Sequence, residues 1–167
     1  MIVFDSSTLI LIAKVELLNP FLANVESPVA IPTEVERECC RAKKTFDALM
    51  IQKALEESWI RSVAVKNRTL IARLQVDFSL GRGEAEALAL ALKEKAELLG
   101  IDDKNGIHAA KLLGIPFTTA MGILVRSRER GLITPSAALA KLAGLGNYGR
   151  YKASIVEDAR RRMEGQK

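Results

Sequence analysis

The sequence predicts an α/β protein in which helices cover both faces of a parallel sheet. Short apolar segments alternate with amphipathic segments along most of the 167 residues, and this alternation is typical of parallel sheets. Hydrophobic residues make up 49% of the chain and charged residues 27%, which is the composition of a folded globular protein. The length suits a single core, and the chain has no internal repeat.

Five short segments have the apolar, β-branched character of buried strands. They are residues 1–4, 27–32, 60–65, 98–102 and 115–119. The segments between them have helical spacing or composition, most strongly in the alanine-rich "GRGEAEALALALKEKAE". Ser6 or Ser7 is expected to cap the helix that follows the first strand.

The carboxyl-terminal part of the chain is predicted to be helical. Leu124 and Leu142 lie on apolar faces that serve either the core or a dimer contact. The composition changes at "GLGNYGR" (144–150). This change predicts a domain over residues 1–145 and a basic C-terminal helix or tail over residues 146–167.

The composition argues against several classes of protein. The two cysteines, Cys39 and Cys40, are adjacent in sequence, so no disulfide framework is expected and a reducing cytoplasm fits best. The single histidine, His108, argues against a zinc site and is expected to be a structural or surface residue rather than a catalytic one. No signal peptide is expected, because the amino terminus lacks a basic region and has Asp5 at its fifth position. No membrane span is expected, because no apolar run approaches the required ~20 residues.

Acidic residues follow two of the predicted strands directly. Asp5 ends the first strand, and Asp102 with Asp103 ends the "LLGI" strand. Glu84 stands at the start of the alanine-rich helix that precedes this second strand. Because the carboxyl ends of parallel strands open on one edge of a sheet, we expect these carboxylates to gather there.

Glu34 and Glu38 lie one turn apart on the helix after the second strand and share a face. Residues 84–103 carry six acids and two bases, a local charge of −4 in a protein of net charge +5. A divalent cation stabilises such a cluster, and Mg²⁺ or Mn²⁺ prefers oxygen ligands. The competing interpretation is that Asp5 only caps a helix and that Glu34 is a solvated charge.

Basic residues flank the acidic region. A metal-filled acidic pocket with a basic rim suits a phosphodiester substrate, because the rim binds phosphates while the metal activates water. The basic residues are Arg61, Lys66, Arg68, Arg73, Arg82, Arg126, Arg128, Arg130, Arg160, Arg161 and Arg162.

Five segments resemble, in order, the motifs of the PIN-domain family. They are "IVFDSSTLILIAKV", "AIPTEVEREC", "GRGEAEALALAL", "LLGIDDKNG" and "LGIPFTTAMGIL". The resemblance spans roughly residues 1–145 and is closest to the small prokaryotic VapC-like ribonucleases. It implies a three-layer α/β/α sandwich and Mg²⁺- or Mn²⁺-dependent hydrolysis of single-stranded RNA. A toxin role of the VapC kind implies an antitoxin partner, and family members often form homodimers.

The resemblance also implies roles for individual residues. Asp5, Glu38, Glu84 and Asp103 match the family's catalytic acids, with Glu34 as the alternative to Glu38. The implied metal ligands are Asp5, Glu84, Asp103 and the adjacent Asp102. Ser7 matches the small hydroxyl residue that lies two positions after the first acid.

Two other functions stay open. A catalytically weak PIN-like module that binds RNA or acts as a scaffold is favoured by Ile101 and the "KNGIH" loop, where the family often has threonine and an aromatic residue. A phosphoacceptor domain of the response-regulator kind also gathers acids on an α/β fold. Its paired acids follow the first strand, however, whereas the pair here lies at residues 102–103.

Overall fold

Five short strands form one parallel sheet in the computed structural model, which describes residues 1–165. In chain order they are β1 (Ile2–Phe4), β2 (Val29–Pro32), β3 (Ile60–Val63), β4 (Leu98–Gly100) and β5 (Phe117–Thr118). Their order across the sheet is β3-β2-β1-β4-β5, so β1 is central. The chain winds to one side of β1 and then to the other, and ligand sites in open α/β sheets form at such a switch point.

Ten helices accompany the sheet within the described residues. They are α1 (Ser6–Lys14), α2 (Leu18–Asn24), α3 (Thr33–Cys40), α4 (Phe46–Glu56), α5 (Arg68–Phe78), α6 (Arg82–Glu94), α7 (Lys104–Leu112), α8 (Ala120–Glu129), α9 (Pro135–Tyr148) and α10 (Ala153–Met163). The prediction that helices fill the segments between the strands is confirmed. The separate helix α2 was not predicted. It arises because Glu16 adopts a left-handed backbone conformation, with a φ of 55°, that ends the first helix.

Helices cover both faces of the sheet, as predicted, because the strands β1, β2 and β4 carry apolar side chains on both sides. Ile2 and Phe4 of β1 point into one core, where they pack with residues of α1, α3 and α8. Val3 points to the opposite face, where it packs with residues of α5, α6 and α7. The structure is therefore a three-layer α/β/α sandwich, which confirms the predicted fold class.

The carboxyl-terminal helices pack on the first of these cores. Leu124 and Leu142 are completely buried in it, so they are core residues and do not form a dimer contact. The 144–150 segment belongs to α9 as far as Tyr148. After a short connection, α10 buries Ala159 and Met163 in the same core.

Within residues 1–165, no single helix is long and apolar enough to cross a membrane, although α1 and α2 pass a length and composition test as a pair bent by 106°.

Candidate active site

Asp5 follows the central strand directly, and its side chain is completely buried. Its amide donates a hydrogen bond to the carbonyl oxygen of Gly100 on β4, at 3.0 Å. The Thr8 amide donates to Asp5 Oδ1 at 2.8 Å, and the Ser7 hydroxyl donates to Asp5 Oδ2 at 2.6 Å. Asp5 is thus the N-cap of α1. The prediction that Ser6 or Ser7 has this role is wrong, because the carboxylate reaches the orphan amide of the first turn.

The buried carboxyl group of Asp5 is electrostatically uncompensated. Burial raises the pKa of Asp5 to about 7, and the hydrogen bonds from Ser7 and Thr8 only partly oppose this. The negative charge of Asp102 raises the pKa further. A nearby cation would favour the ionised form of Asp5.

Asp102 lies beside Asp5 and has hydrogen-bond donors on both oxygens. The Ala120 amide, at the amino terminus of α8, donates to Asp102 Oδ2 at 2.8 Å, and the Tyr151 hydroxyl donates to Oδ1. The hydroxyl of Thr8 lies near enough to both carboxyl groups to lower their pKa values. That hydroxyl is nevertheless buried without a hydrogen bond of good geometry.

Glu38 of α3 lies against the amino terminus of α6, and Gly83 provides the room for it. A β-carbon at position 83 would lie only 2.8 Å from Glu38 Cδ. Glu84 follows in the same turn, and its Oε2 accepts a hydrogen bond from the Gly81 amide at 2.8 Å. Burial raises the pKa of Glu84, and the charges of Asp103 and Glu38 raise it further.

Asp103 is the N-cap of α7 and remains partly exposed. Its Oδ1 accepts hydrogen bonds from the amides of Asn105 and Gly106, at 2.8 and 3.0 Å. Because its charge acts on Glu84, we place Asp103 on the same side of the site as Glu84 and Glu38.

Glu34 does not join this group. Its side chain is buried between α3 and α6, where it pairs with the Arg37 guanidinium and lies 3.9 Å from Arg82 Nε. Arg82 also pairs with Glu86 at 3.0 Å. The hydrogen bond from Arg37 lowers the pKa of Glu34. The interpretation of Glu34 as a solvated charge is therefore wrong, and only Glu38 of the two alternatives lies against Gly83 and acts on Glu84.

The acids thus form two neighbouring groups at the carboxyl edge of the sheet. One holds Asp5 and Asp102, and the other holds Glu38, Glu84 and Asp103. The buried thiol of Cys39 lies near both groups. Burial is the main reason that its pKa is raised, and the charges of Cys40, Glu38 and Asp5 contribute as well.

The side-chain oxygens at this edge of the sheet fit Mg²⁺ or Mn²⁺ as ligands. Carboxylate and hydroxyl oxygens are the ligands that these ions prefer, and the unpartnered hydroxyl of Thr8 lies at the first group. Within residues 1–165, however, no three His, Cys, Asp or Glu side chains are arranged to hold one metal ion. Glu84 and Asp103 instead turn one oxygen each toward backbone amides. Gathering the two groups around one cation therefore requires side-chain rotation.

The basic residues divide between the two sides of the molecule. Arg68 and Arg82 line a groove beside the amino terminus of α6. Arg126 and Arg130 line a cavity of about 250 Å³ with Leu98 and other residues at the starts of the central strands. The expectation that these two arginines rim the acidic site is wrong, because α8 begins at the acidic edge and runs to the opposite one.

The remaining predicted residues take no part in the two acidic groups. His108 is exposed on α7 and packs edge-on against Phe78 at a ring-centre distance of 6.3 Å. Cys39 and Cys40 are both free and buried. Arg160 and Arg161 pair with Glu157 on their own helix.

Two residues of the site were missed from the sequence. Gly83 was not linked to Glu38, although a glycine in the first turn of a helix signals a close approach by another group. Tyr151 was not linked to Asp102, because 49 residues separate them and no local pattern connects them.

Comparison with known proteins identifies the family. A family model described as "DUF3368: PIN domain" matches residues 1–164. PIN domains are generally a metal-dependent nuclease fold. No curated protein and no solved structure matches the chain at a significant level. Since the match spans nearly the whole chain, this protein belongs to the PIN-domain family.

Proposed function

We propose that this protein is a divalent-metal-dependent endoribonuclease that hydrolyses single-stranded RNA at the acidic edge of its sheet. Asp5 carries the proposal. It is a fully buried carboxyl group at the end of the central strand, and its pKa is raised to about 7. Burying an uncompensated acid destabilises the fold, and acids with perturbed pKa values concentrate at functional sites.

The proposed ligands of Mg²⁺ or Mn²⁺ are Asp5, Glu84 and Asp103, with Glu38 completing the catalytic set. When bound, the cation activates water and neutralises charge on the scissile phosphate. Asp5 provides a rigid anchor, because Ser7 and the α1 backbone hold both of its oxygens. Glu84 and Asp103 each use a single oxygen for capping.

We place Asp103 rather than Asp102 among the ligands. One oxygen of Asp103 accepts both capping hydrogen bonds, which leaves the other available to a cation. Asp103 also lies beside the proposed ligand Glu84, on which its charge acts, whereas the charge of Asp102 acts on Asp5. Asp102 lies next to Asp5, so we expect it to orient Asp5 and not to bind the cation itself.

The proposed path of the RNA backbone follows the groove between α5 and α6. Arg68 and Arg82 line this groove together with Gln75. Arg82 is the first residue of α6 and pairs with Glu86 and Glu34, which holds its guanidinium against the first turn of that helix. Because Glu84 lies in that same turn, a phosphate bound in the groove would lead the chain toward the acids.

The test is a set of labelled substrates of one sequence: single-stranded RNA, duplex RNA and single-stranded DNA. Each is incubated with Mn²⁺, with Mg²⁺ and with EDTA. We expect cleavage of single-stranded RNA in either metal, with 5′-phosphate and 3′-hydroxyl ends, and none in EDTA. Equal cleavage of DNA would contradict the assignment of RNA as the substrate. Cleavage in EDTA would contradict the dependence on a divalent metal.

A catalytically weak RNA-binding or scaffolding module is the second candidate. It is favoured by the capping bonds that turn Glu84 and Asp103 toward backbone amides and by the lack of a three-ligand arrangement within residues 1–165. This candidate expects RNA binding that is unchanged by EDTA and by Asp5→Asn, and no cleavage in any metal.

The proposal includes a VapC-like toxin role in the cytoplasm, with an antitoxin and a second copy of the chain as partners. The resemblance of the acid motifs supports this role. Induced expression in a bacterial host is expected to halt growth, whereas Asp5→Asn permits it. Growth arrest by both proteins would contradict a nuclease toxin.

A further inference from the structure

Tyr151 connects the carboxyl-terminal part of the chain to the acidic edge of the sheet. Its hydroxyl donates a hydrogen bond to Asp102 Oδ1, while the Ala120 amide holds Oδ2 at 2.8 Å. One donor comes from the connection between α9 and α10 and the other from the start of α8. Together they fix the orientation of the Asp102 carboxylate.

The backbone before Tyr151 is shaped to receive its ring. A β-carbon at Gly149 would lie 2.7 Å from Tyr151 Cδ2 and 2.9 Å from the carbonyl oxygen of Leu145. The ring therefore folds back beneath Gly149 and packs against the core shared with α8 and α10. A larger residue at position 149 would displace it.

The segment that carries Tyr151 is anchored on both sides. Ala159 and Met163 of α10 are buried in the core. Arg162 of α10 pairs with Glu129 of α8 at 2.6 Å. Because α8 also supplies Ala120, both donors to Asp102 come from one packed unit.

Asp102 in turn acts on Asp5. The two carboxyl groups are close enough for the charge of Asp102 to influence Asp5, and the buried Thr8 hydroxyl lies near both. A displaced Asp102 would therefore change the surroundings of the residue on which the proposed function depends.

We propose that Tyr151 is a positioning residue of the acidic site, which fixes Asp102 beside Asp5 and makes the connection before α10 part of that site. This inference rests on the proposed metal-dependent nuclease. Tyr151 touches neither a cation nor RNA. It acts through Asp102, which lies beside the proposed ligand Asp5, in the way that residues outside the ligand set fix the surroundings of a metal ligand.

The test compares Tyr151→Phe with Tyr148→Phe. Both substitutions remove one hydroxyl from a tyrosine ring, and these are the two tyrosines of the chain. Tyr148 is 57% exposed and packs its ring against Lys14 rather than against the acids. Mn²⁺ affinity is measured by calorimetry, RNA cleavage by kcat and KM, and folding by thermal melting.

We expect Tyr151→Phe to weaken Mn²⁺ binding by about tenfold, the lower end of the effect typical of such partners. The value of kcat should fall by a similar factor, with KM for RNA unchanged, because the hydroxyl lies away from the proposed RNA groove. Tyr148→Phe should leave all three quantities unchanged. Wild-type Mn²⁺ affinity in a folded Tyr151→Phe protein would overturn the inference.

A double-mutant cycle separates positioning from simple structural support. If Tyr151 acts through Asp102, the Asp102→Ala and Asp102→Ala/Tyr151→Phe proteins bind Mn²⁺ equally well, because alanine leaves no acceptor for the Tyr151 hydroxyl. If the double variant instead loses Mn²⁺ affinity by the product of the two single-variant losses, the hydroxyl acts elsewhere and the inference is overturned. Wild-type protein that binds no Mn²⁺ and cleaves no RNA would overturn the proposed function and this inference together.

Discussion

The carboxylate of Glu38 occupies the space that a side chain at position 83 would fill. A β-carbon on Gly83 would lie 2.8 Å from Glu38 Cδ and 2.8 Å from Glu38 Oε1. Glu38 comes from α3 and Gly83 from α6, so this contact brings an acid of one helix to the first turn of another. Glu84 lies in that turn, and its pKa is raised partly by the charge of Glu38.

Gly83→Ala is expected to separate function from stability. The added methyl displaces the flexible end of Glu38, while alanine favours the helix by up to about 1 kcal/mol relative to glycine. RNA cleavage should fall by roughly 100-fold, since a displacement of about 1 Å at a catalytic group has effects of that order. Urea unfolding and cleavage are measured on the same preparation.

Gly146→Ala is the matched control for this change. Gly146 lies within α9, and a β-carbon there would meet no atom within 4 Å. It should gain similar stability and retain full cleavage. A Gly83→Ala protein as active as Gly146→Ala would show that Glu38 has no part in catalysis.

Asp5→Asn is expected to change how stability depends on pH. The pKa of Asp5 is about 7 in the folded protein, against an ordinary value of 3.8. Between these values the folded state holds a proton that the unfolded state has released. The contribution of Asp5 to stability is therefore fully present below about pH 4 and is lost as the pH rises through 7.

Urea unfolding in EDTA from pH 4 to pH 8 measures this effect. The stability of Asp5→Asn relative to wild type should rise with pH by up to about 4 kcal/mol, since one pKa unit corresponds to about 1.4 kcal/mol. Asp77→Asn, which alters an exposed acid on α5, should follow the wild-type profile. Parallel profiles for all three proteins would contradict the raised pKa of Asp5.

Glu34 and Glu38 lie one turn apart on α3, and their substitutions should have opposite effects. Glu34→Gln breaks the pair with Arg37 and weakens the contact with Arg82, so the urea midpoint falls while Mn²⁺ affinity is retained. Glu38→Gln should leave the midpoint nearly unchanged and reduce cleavage by at least about tenfold. The reverse pattern would assign the second catalytic acid to Glu34.

Arg68→Gln tests the proposed RNA groove. Removing one phosphate contact should weaken RNA binding and lower the slope of log affinity against log salt by about 1. Arg130→Gln removes the same charge at the cavity on the opposite edge and should have little effect. Equal losses of RNA affinity in the two proteins would mean that RNA binding depends on the net charge of the protein and not on this groove.

The sheet was predictable because the strands β1, β2 and β4 are apolar on both faces and are bounded by clear helix signals. Asp5 and Asp103 were predictable as edge residues for the same reason. The role of Glu34 was not predictable, because its burial depends on packing against α6, whose Arg82 is distant in sequence, although its partner Arg37 is local. Tyr151 was missed because its partner Asp102 is also remote. Local patterns predict elements, whereas tertiary contacts determine which acid faces the site.

The most direct test of this account is cleavage of a labelled single-stranded RNA by wild type, Asp5→Asn and Asp77→Asn, each in Mn²⁺ and in EDTA. Comparison of the three preparations also excludes a contaminating host nuclease. The account predicts Mn²⁺-dependent cleavage by wild type and Asp77→Asn, and a loss of more than about 100-fold in Asp5→Asn. Equal cleavage by Asp5→Asn and wild type would contradict it.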